Sequence, residues 1–317
     1  MPEMNEKAAK DELSVEFGYY PVGCNIGSDC FSIQVLPGLE ESVAAVSEDA
    51  GVFRGWAYAG VRKDYDVMTG RVHDMPYNAR IFGLPRTHVM TLYERASTEK
   101  IEFLVWCMSF FVGMRLTTAE AGFLDATPVK PGELVDFSLR ANTMVDAIHL
   151  SIAYFESHRA EHQSHNRVEA IIHALFLSQY PQSLEFEKFQ YLYMALDACF
   201  KLLSDKGARG RRIPHASRIQ WMCELLEMPV PGWAKYSGDS PAPVAAVRND
   251  AFHEALFFGG PLGFSIYGGN QRSGDQANVI LQMQALVCRL LVAILGRPEA
   301  RYVRTSIETR QIYGLDI

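Results

Sequence analysis

The sequence predicts an α+β protein, with a β-rich N-terminal domain over 1–135 and an all-α domain over 140–317. Three observations support this fold class. Short alternating apolar runs interrupted by Gly and Pro fill the first third, and long apolar runs at helical spacing fill the second half. Between them, the segment 128–133 (PVKPGE) interrupts any regular element and is the predicted domain edge.

The first domain is predicted to hold short strands joined by long loops. Residues 31–36 (FSIQVL) alternate and end at the turn Pro37-Gly38, and the runs 52–61 and 87–93 are rich in aromatic and small residues. Residues 99–116 differ, because they are apolar on most sides and unbroken until Gly113. That pattern predicts one buried helix within the otherwise β-rich domain.

The second domain is predicted to be a bundle of helices. The expected helices cover 142–157, 164–180, 184–207, 215–228, 244–258 and 276–295. Their ends carry ordinary helix signals, with Asn142 as a possible N-cap and Pro181, Pro229 or Gly296 after the last turns. This spacing predicts an α-helical bundle.

Composition and charge narrow the function classes. The chain has 317 residues, 48% of them hydrophobic and 21% charged, which is typical of a globular protein. The first residues contain no apolar signal region, and the six cysteines form no CxxC pair, so we expect a cytoplasmic protein. The longest apolar run is too short to span a bilayer, so we expect no membrane association. Residues 1–159 carry 14 basic and 22 acidic side chains, whereas residues 160–317 carry 16 and 15. This balance argues against a general duplex binder but leaves room for a basic site in the second half.

The string Val247–His253 (VRNDAFH) is the most informative one for chemistry. Asn249 and His253 are four residues apart and share a helix face, whereas Arg248 and His253 are separated by about 140° around the helix. The long Arg248 stem can still bring its guanidinium towards that face. A permanent cation beside a group that titrates near neutrality suits phosphodiester chemistry, although the same spacing also occurs by chance on surface helices.

Residues from about 165 to 317 resemble the HEPN superfamily, most closely its Apea-like branch. The resemblance rests on the Arg-Asn-x-x-x-His motif at 248–253, preceded by FEKFQYLYMALD at 186–197, Arg218-Ile219 and PGW at 231–233, and followed by GPLGF at 260–264. Asp197 and Lys201 match the acidic-x-x-x-basic pair of that family. The N-terminal part matches no family in this way.

This resemblance implies a HEPN-type helical bundle and a metal-independent endoribonuclease that needs no cofactor. Arg248 would bind the scissile phosphate, His253 would transfer protons as the 2′-hydroxyl attacks, and Asn249 would orient His253 or the backbone. Asp197 would position Arg248 or Lys201. Such enzymes act in toxin–antitoxin systems and phage defence, and two copies would form one composite site as a homodimer through the Arg248–His253 helix.

The same resemblance leaves a second interpretation open. Some HEPN domains are catalytically silent scaffolds that bind a ligand or a partner. The N-terminal domain would sense a signal or regulate the enzyme in the first interpretation, and would bind a ligand or a partner in the second. An antitoxin or sensor protein could be a partner.

Two further clusters have both a functional and a structural interpretation. Arg209, Arg211 and Arg212 form the densest basic cluster and would guide an RNA backbone, or would simply be a solvated loop. His158, His162 and His165 have spacing compatible with zinc binding on a helix, but a solvated helix end is the simpler interpretation. We therefore predict no metal at the catalytic site.

Overall fold

The computed structural model describes residues 12–139, 143–207, 212–238, 242–253, 279–307 and 312–317, with side chains described for all of these except 205–207 and 250–253. The chain divides into two compact units. The first comprises the residues up to Ser109 together with Met114–Pro131, and the second comprises Phe110–Gly113 and Gly132–Ile317.

The N-terminal part of the chain is rich in short strands. In chain order its elements are β1 (Leu13–Gly18), β2 (Ile26–Gly27), β3 (Phe31–Val35), α1 (Leu39–Glu48), β4 (Val52–Phe53), β5 (Trp56–Tyr58), β6 (Val61–Asp66), β7 (Arg71–Asn78), β8 (Ile81–Phe82), β9 (Arg86–Leu92), α2 (Thr98–Val112), β10 (Phe123–Leu124) and β11 (Ala126–Pro128). The strands form one four-stranded sheet in the order β1-β9-β3-β2 and three smaller sheets, β11-β5-β4, β10-β8 and β6-β7.

The four-stranded sheet supplies much of the core of the first unit. Its central strand β9 pairs antiparallel with both β1 and β3, so that Met90 lies opposite Val15 on one side and Ile33 on the other. Met90 and Ile33 are fully buried, as are Phe31 and Leu92, which lie opposite each other. The alternating pattern that predicted a strand at 31–36 is therefore confirmed over Phe31–Val35, because Phe31 and Ile33 face the interior.

The helix predicted over 99–116 is confirmed but ends earlier, at Val112. It begins after Ser97, whose hydroxyl accepts a hydrogen bond from the Lys100 backbone N–H at 3.1 Å. It ends because Gly113 has a φ of 65°, and a Cβ there would lie 2.7 Å from the Val135 side chain.

One helix of the first unit was not predicted. α1 follows the turn at Pro37-Gly38, and of its residues only Val46 is buried. Its apolar residues Leu39, Val43 and Val46 do recur at helical spacing, but they follow directly on the strand and turn signals at 31–38, and no helix was predicted there.

His88 lies in the core of the first unit and is fully buried. Its Nδ1 is 2.9 Å from the Thr87 hydroxyl, and its ring lies against the rings of Phe17 and Tyr20 at 5.7 and 5.4 Å between centroids. Burial lowers the pKa of His88 from 6.5 to about 4, because the charged ring loses its hydration.

This burial predicts a loss of stability in mild acid. Between pH 6.5 and 4 the unfolded chain binds a proton at His88 that the folded chain does not, so the free energy of unfolding should fall by about 3 kcal/mol over that range. His88→Gln should remove this dependence, as measured by urea unfolding and by hydrogen exchange of the β9 amides at several pH values. His73→Gln, at an exposed position of β7, is the control that should leave the dependence unchanged. An unaltered pH dependence in His88→Gln would contradict the prediction.

The C-terminal part of the described chain is mostly helical. Its elements are β12 (Phe137–Leu139), α3 (Met144–Ser157), α4 (His162–Leu177), α5 (Glu185–Gly207), α6 (Arg218–Leu225), α7 (Pro243–His253), α8 (Val279–Leu295) and β13 (Tyr313–Leu315). α5 packs against α4, α6 and α8, and α8 is buried around most of its circumference. Helix α8 is therefore a central element of the second unit, as its nearly continuous apolar sequence suggests.

The second unit departs from the all-α expectation by a small sheet, and one of its helices is shorter than expected. β12 pairs in parallel with β13, which joins residues more than 170 positions apart in the chain. The helix expected over 215–228 is shorter, because a 3-10 turn at His215–Ser217 precedes α6. The predicted Asn142 cap lies outside the described residues, and the helix expected from residue 184 begins at Glu185, with Leu184 exposed before it.

Arg289 anchors the C-terminal segment to α8 and to the residue before β12. Its side chain is fully buried, and its Nη1 donates to Asp136 Oδ2 at 2.8 Å and to the Ala285 carbonyl at 2.9 Å. Its Nε donates to the Thr305 carbonyl at 3.3 Å, and the Tyr302 hydroxyl donates to Asp136 Oδ1. A buried cation with this many partners has a structural role.

Within the described residues, no helix has both the length and the apolar character that a membrane span requires.

The overall architecture is mixed α and β, as predicted, with the strands concentrated in the first unit.

Candidate functional site

Four charged or titratable side chains come together in the second unit. Asp197 extends from α5, His215 from the 3-10 turn before α6, Arg218 from the first residue of α6 and Arg248 from α7. These elements pack together, since α5 contacts α6 and the 3-10 turn contacts both α6 and α7. We call these four residues, with Tyr193, the Asp197 cluster.

Asp197 lies at the centre of this cluster. Its Oδ1 accepts a hydrogen bond from Arg218 Nη1 at 3.1 Å, and its Oδ2 is 3.6 Å from His215 Nε2. The three side chains are about one-third exposed, so their charges are only partly screened by water. The Arg218 guanidinium also lies over the Phe200 ring, 4.5 Å from its centroid, which fixes its orientation.

Tyr193 lies one helical turn before Asp197 on α5. Its ring stacks on His215 with centroids 5.7 Å apart and planes inclined by 20°, and its hydroxyl is 3.4 Å from His215 Nδ1. Burial raises the pKa of Tyr193, and the Asp197 carboxylate raises it further, so the hydroxyl remains protonated at neutral pH. Tyr193 therefore positions His215 from the side opposite Asp197.

Arg248 extends from α7, which packs against the 3-10 turn that carries His215. Burial lowers the pKa of His215, and the cations of Arg218 and Arg248 lower it further, while Asp197 acts in the opposite direction. The same two cations partly oppose the rise in the pKa of Tyr193 that burial and Asp197 cause. Arg248 therefore acts on both rings, and its Nη1 also donates to Asn249 Oδ1 at 3.3 Å.

The structure brings some of the predicted site residues together and leaves others apart. Asp197 and Arg248 both belong to the cluster, but the ion pairs of Asp197 are to Arg218 and His215. Asn249, Lys201 and Arg212 are exposed. His253 is the last described residue of α7, but its side chain is outside the described part, as are Arg209 and Arg211 entirely.

Sequence reasoning missed Tyr193 and His215, and it noted Arg218 only as part of the family resemblance. Tyr193 and Asp197 share a face of α5 by their spacing, which was the one available signal. His215 comes 18 positions after Asp197, in an irregular stretch, and nothing in a linear sequence indicates that the two side chains meet.

The cluster is chemically suited to bind an anion. At neutral pH two guanidinium groups face one carboxylate, and the depressed pKa keeps His215 mostly uncharged. The net charge of the Asp197 cluster is therefore positive. The planar guanidinium donors of Arg also match the geometry of phosphate oxygens well. His215 Nε2 is buried 3.6 Å from Asp197 Oδ2, so we assign to His215 the role of positioning this carboxylate.

The pKa of His215 provides a direct test of this geometry. Replacing Arg248 with Gln should raise the pKa of His215, because one depressing charge is lost, whereas Asp197→Asn should lower it. Both values can be measured by NMR titration of the imidazole resonances. Arg159→Gln, an exposed cation on the same unit, is the matched control and should have little effect. An Arg248→Gln protein with an unchanged His215 pKa would place Arg248 outside the cluster.

The three histidines at 158, 162 and 165 do not converge on a metal site. The His158 ring stacks on Tyr154 with centroids 4.2 Å apart, and the His165 ring stacks on Phe155 at 4.1 Å and donates from Nε2 to its carbonyl at 3.1 Å. In the described part of the chain, no three His, Cys, Asp or Glu side chains are grouped so that they could hold a metal ion. The zinc interpretation of this stretch therefore has no support in the structure.

Searches against protein-family models, curated proteins and solved structures found no match to this chain. The chemistry of the Asp197 cluster must therefore be judged from its own side chains, which form a partly buried, positively charged site beside the Arg248–His253 helix.

Proposed function

We propose that this protein is a metal-independent endoribonuclease of the HEPN type that cleaves RNA beside α7. The observation that carries this proposal is the packing of α7, which bears Arg248 of the Arg-Asn-x-x-x-His motif, against the 3-10 turn that bears His215, beside the ion pair of Asp197 with Arg218. A motif on an isolated surface helix would have little catalytic value. Beside a second arginine and a carboxylate it gains the preorganised charge that phosphoryl transfer requires.

Each residue has a role that follows from its chemistry. Arg248 and Arg218 would bind the scissile phosphate and stabilise the charge that builds up on its oxygens. His253 would move protons, and Asn249 would orient it or the backbone. Asp197 would hold Arg218 in place through their hydrogen bond. His215 would position the Asp197 carboxylate, and Tyr193 would position the His215 ring.

A homodimer would complete the proton transfers. Cleavage by the 2′-hydroxyl needs a base at the nucleophile and an acid at the leaving oxygen. The motif supplies one histidine per chain, and His215 has its Nε2 turned inwards. Two copies meeting through the Arg248–His253 helix would supply both groups by symmetry.

The other parts of the chain would provide binding and control. Arg209, Arg211 and Arg212, which follow α5 in the chain, would contact the RNA backbone, and Lys201, the basic member of the pair with Asp197, would support the site. The first unit would sense a signal or bind a regulatory partner such as an antitoxin. This organisation suits a phage-defence or toxin-type system.

The proposal is tested by digesting labelled RNA with purified protein in excess EDTA. We expect cleavage to persist, because proton transfer and charge stabilisation come from side chains, and to yield products ending in a 2′,3′-cyclic phosphate. The rate should follow the concentration of dimer measured by light scattering. RNA binding without cleavage would instead favour a catalytically silent scaffold, and cleavage that EDTA abolishes would contradict the proposal.

A further inference from the structure

A second site-like feature lies elsewhere in the second unit. A cavity of about 260 Å³ is lined on one side by residues of α3, α4 and the turn between them, and on the other by α5, α6 and α8. We call it the His158 cavity. It uses none of the residues of the Asp197 cluster.

The polar side of the His158 cavity presents hydrogen-bond acceptors. His158 Nδ1 is 2.8 Å from the Tyr154 carbonyl, which can only accept, so Nδ1 carries the hydrogen. In the neutral ring Nε2 is then an acceptor. The Ser164 hydroxyl donates its hydrogen to Glu161 Oε2 at 3.0 Å, which leaves the other carboxylate oxygen and the hydroxyl lone pairs as acceptors.

The opposite side of the cavity is apolar. Leu202 and Leu203 of α5, Leu226 after α6 and Ile294 of α8 line it, and all four are largely buried. A ligand body in contact with these residues would be removed from water and would gain from the hydrophobic effect.

The charged residues that line the His158 cavity determine whether it favours a cationic, a neutral or an anionic ligand. Glu161 is an exposed carboxylate on the lining, and no Lys or Arg is among the described residues that line the cavity. An anion would be repelled by this carboxylate. A purely apolar molecule would cover the acceptors of His158 and Glu161 without giving them a donor, which costs free energy.

We infer that the His158 cavity binds a small organic ammonium ion, in which an apolar body contacts the leucines and the N–H groups bind Glu161 and His158. The three donors of a primary ammonium group match the acceptors on the polar wall. This inference is independent of the ribonuclease proposal, because it depends on different side chains.

Benzylamine is a suitable probe, with benzyl alcohol and benzoate as its neutral and anionic counterparts. Titration of the full chain, followed by calorimetry and by the NMR signals of the His158 ring, should show saturable binding of benzylamine at roughly millimolar dissociation constant, as expected for so small a ligand. Benzyl alcohol should bind at least about fivefold more weakly, and benzoate should not bind measurably.

Two variants test the site itself. Glu161→Gln should weaken benzylamine binding about tenfold by removing the counter-charge, and Ala293→Leu should abolish it by filling the cavity. Glu48→Gln, an exposed carboxylate on α1, is the matched control and should change nothing. Thermal unfolding of each variant shows whether it still folds.

Three outcomes would overturn the inference. These are no saturable benzylamine binding, equal binding of benzylamine and benzyl alcohol, or unchanged affinity in folded Glu161→Gln. None of these measurements involves RNA cleavage, so failure here leaves the ribonuclease proposal untouched.

Discussion

His253→Ala should reduce RNA cleavage by a factor of roughly a hundred to ten thousand without changing the fold, the range over which a proton-transfer group contributes. α7 carries His253 at its last described residue and Arg248 beside the Asp197 cluster. Loss of the imidazole removes proton transfer but leaves the phosphate-binding cations in place. RNA affinity should therefore change little.

The companion variants separate charge from geometry. Arg248→Ala should lower the cleavage rate almost as strongly as His253→Ala, and Arg248→Lys should restore only part of it, because an ammonium group lacks the planar fork of donors. His73→Ala, an exposed histidine of the first unit, serves as the control for handling and for contaminating nuclease. Full activity in a His253→Ala preparation that is free of other nucleases would refute the assignment of the site.

Arg289→Met should lower the free energy of unfolding by about 3–5 kcal/mol, the largest effect on stability that we expect from a single substitution. The guanidinium is fully buried and bonded to Asp136, and it lies over the Tyr302 ring at 4.4 Å from the centroid. Its removal leaves the Asp136 carboxylate with the Tyr302 hydroxyl but without its cation. Urea unfolding monitored by circular dichroism gives the measurement.

Two further variants show whether the ion pair is the cause. In the double variant Arg289→Met/Asp136→Leu, part of the lost stability should return, because no buried charge is left unpaired. Arg304→Met, which breaks the exposed ion pair of Arg304 with Glu227, should cost less than about 1 kcal/mol. Equal losses for Arg289→Met and Arg304→Met would show that burial adds nothing to the pair at Arg289.

Local patterns predicted the elements whose burial is strongly one-sided or complete. The alternation at Phe31–Val35 and the continuous apolar run at Val279–Leu295 correspond to β3 and α8. Both can be recognised in the sequence because the spacing of their apolar residues matches the side-chain period of a strand or a buried helix. Helix α1 has apolar residues at helical spacing, but only Val46 of them is buried, and the helix was not predicted.

The candidate site could be predicted only in part. Arg248, Asn249 and His253 stand together in one motif, and Asp197 precedes Lys201 at helical spacing, so the sequence alone directs attention to them. The partner of Asp197 is Arg218, 21 positions later, and His215 enters from the intervening turn. No periodic pattern connects such residues.

The order of residues along the chain is enough to predict the mixed α and β composition, the position of most long elements and the motif on α7, because each depends on neighbours within a few turns of the chain. The folded structure is needed to show that His215 and Tyr193 lie beside Asp197, that Asp136 neutralises Arg289, and that His158 lines a cavity. These contacts join residues that are distant in the chain. They form because helices and loops pack their apolar faces against each other, and this packing sets the positions of the polar side chains on the same elements.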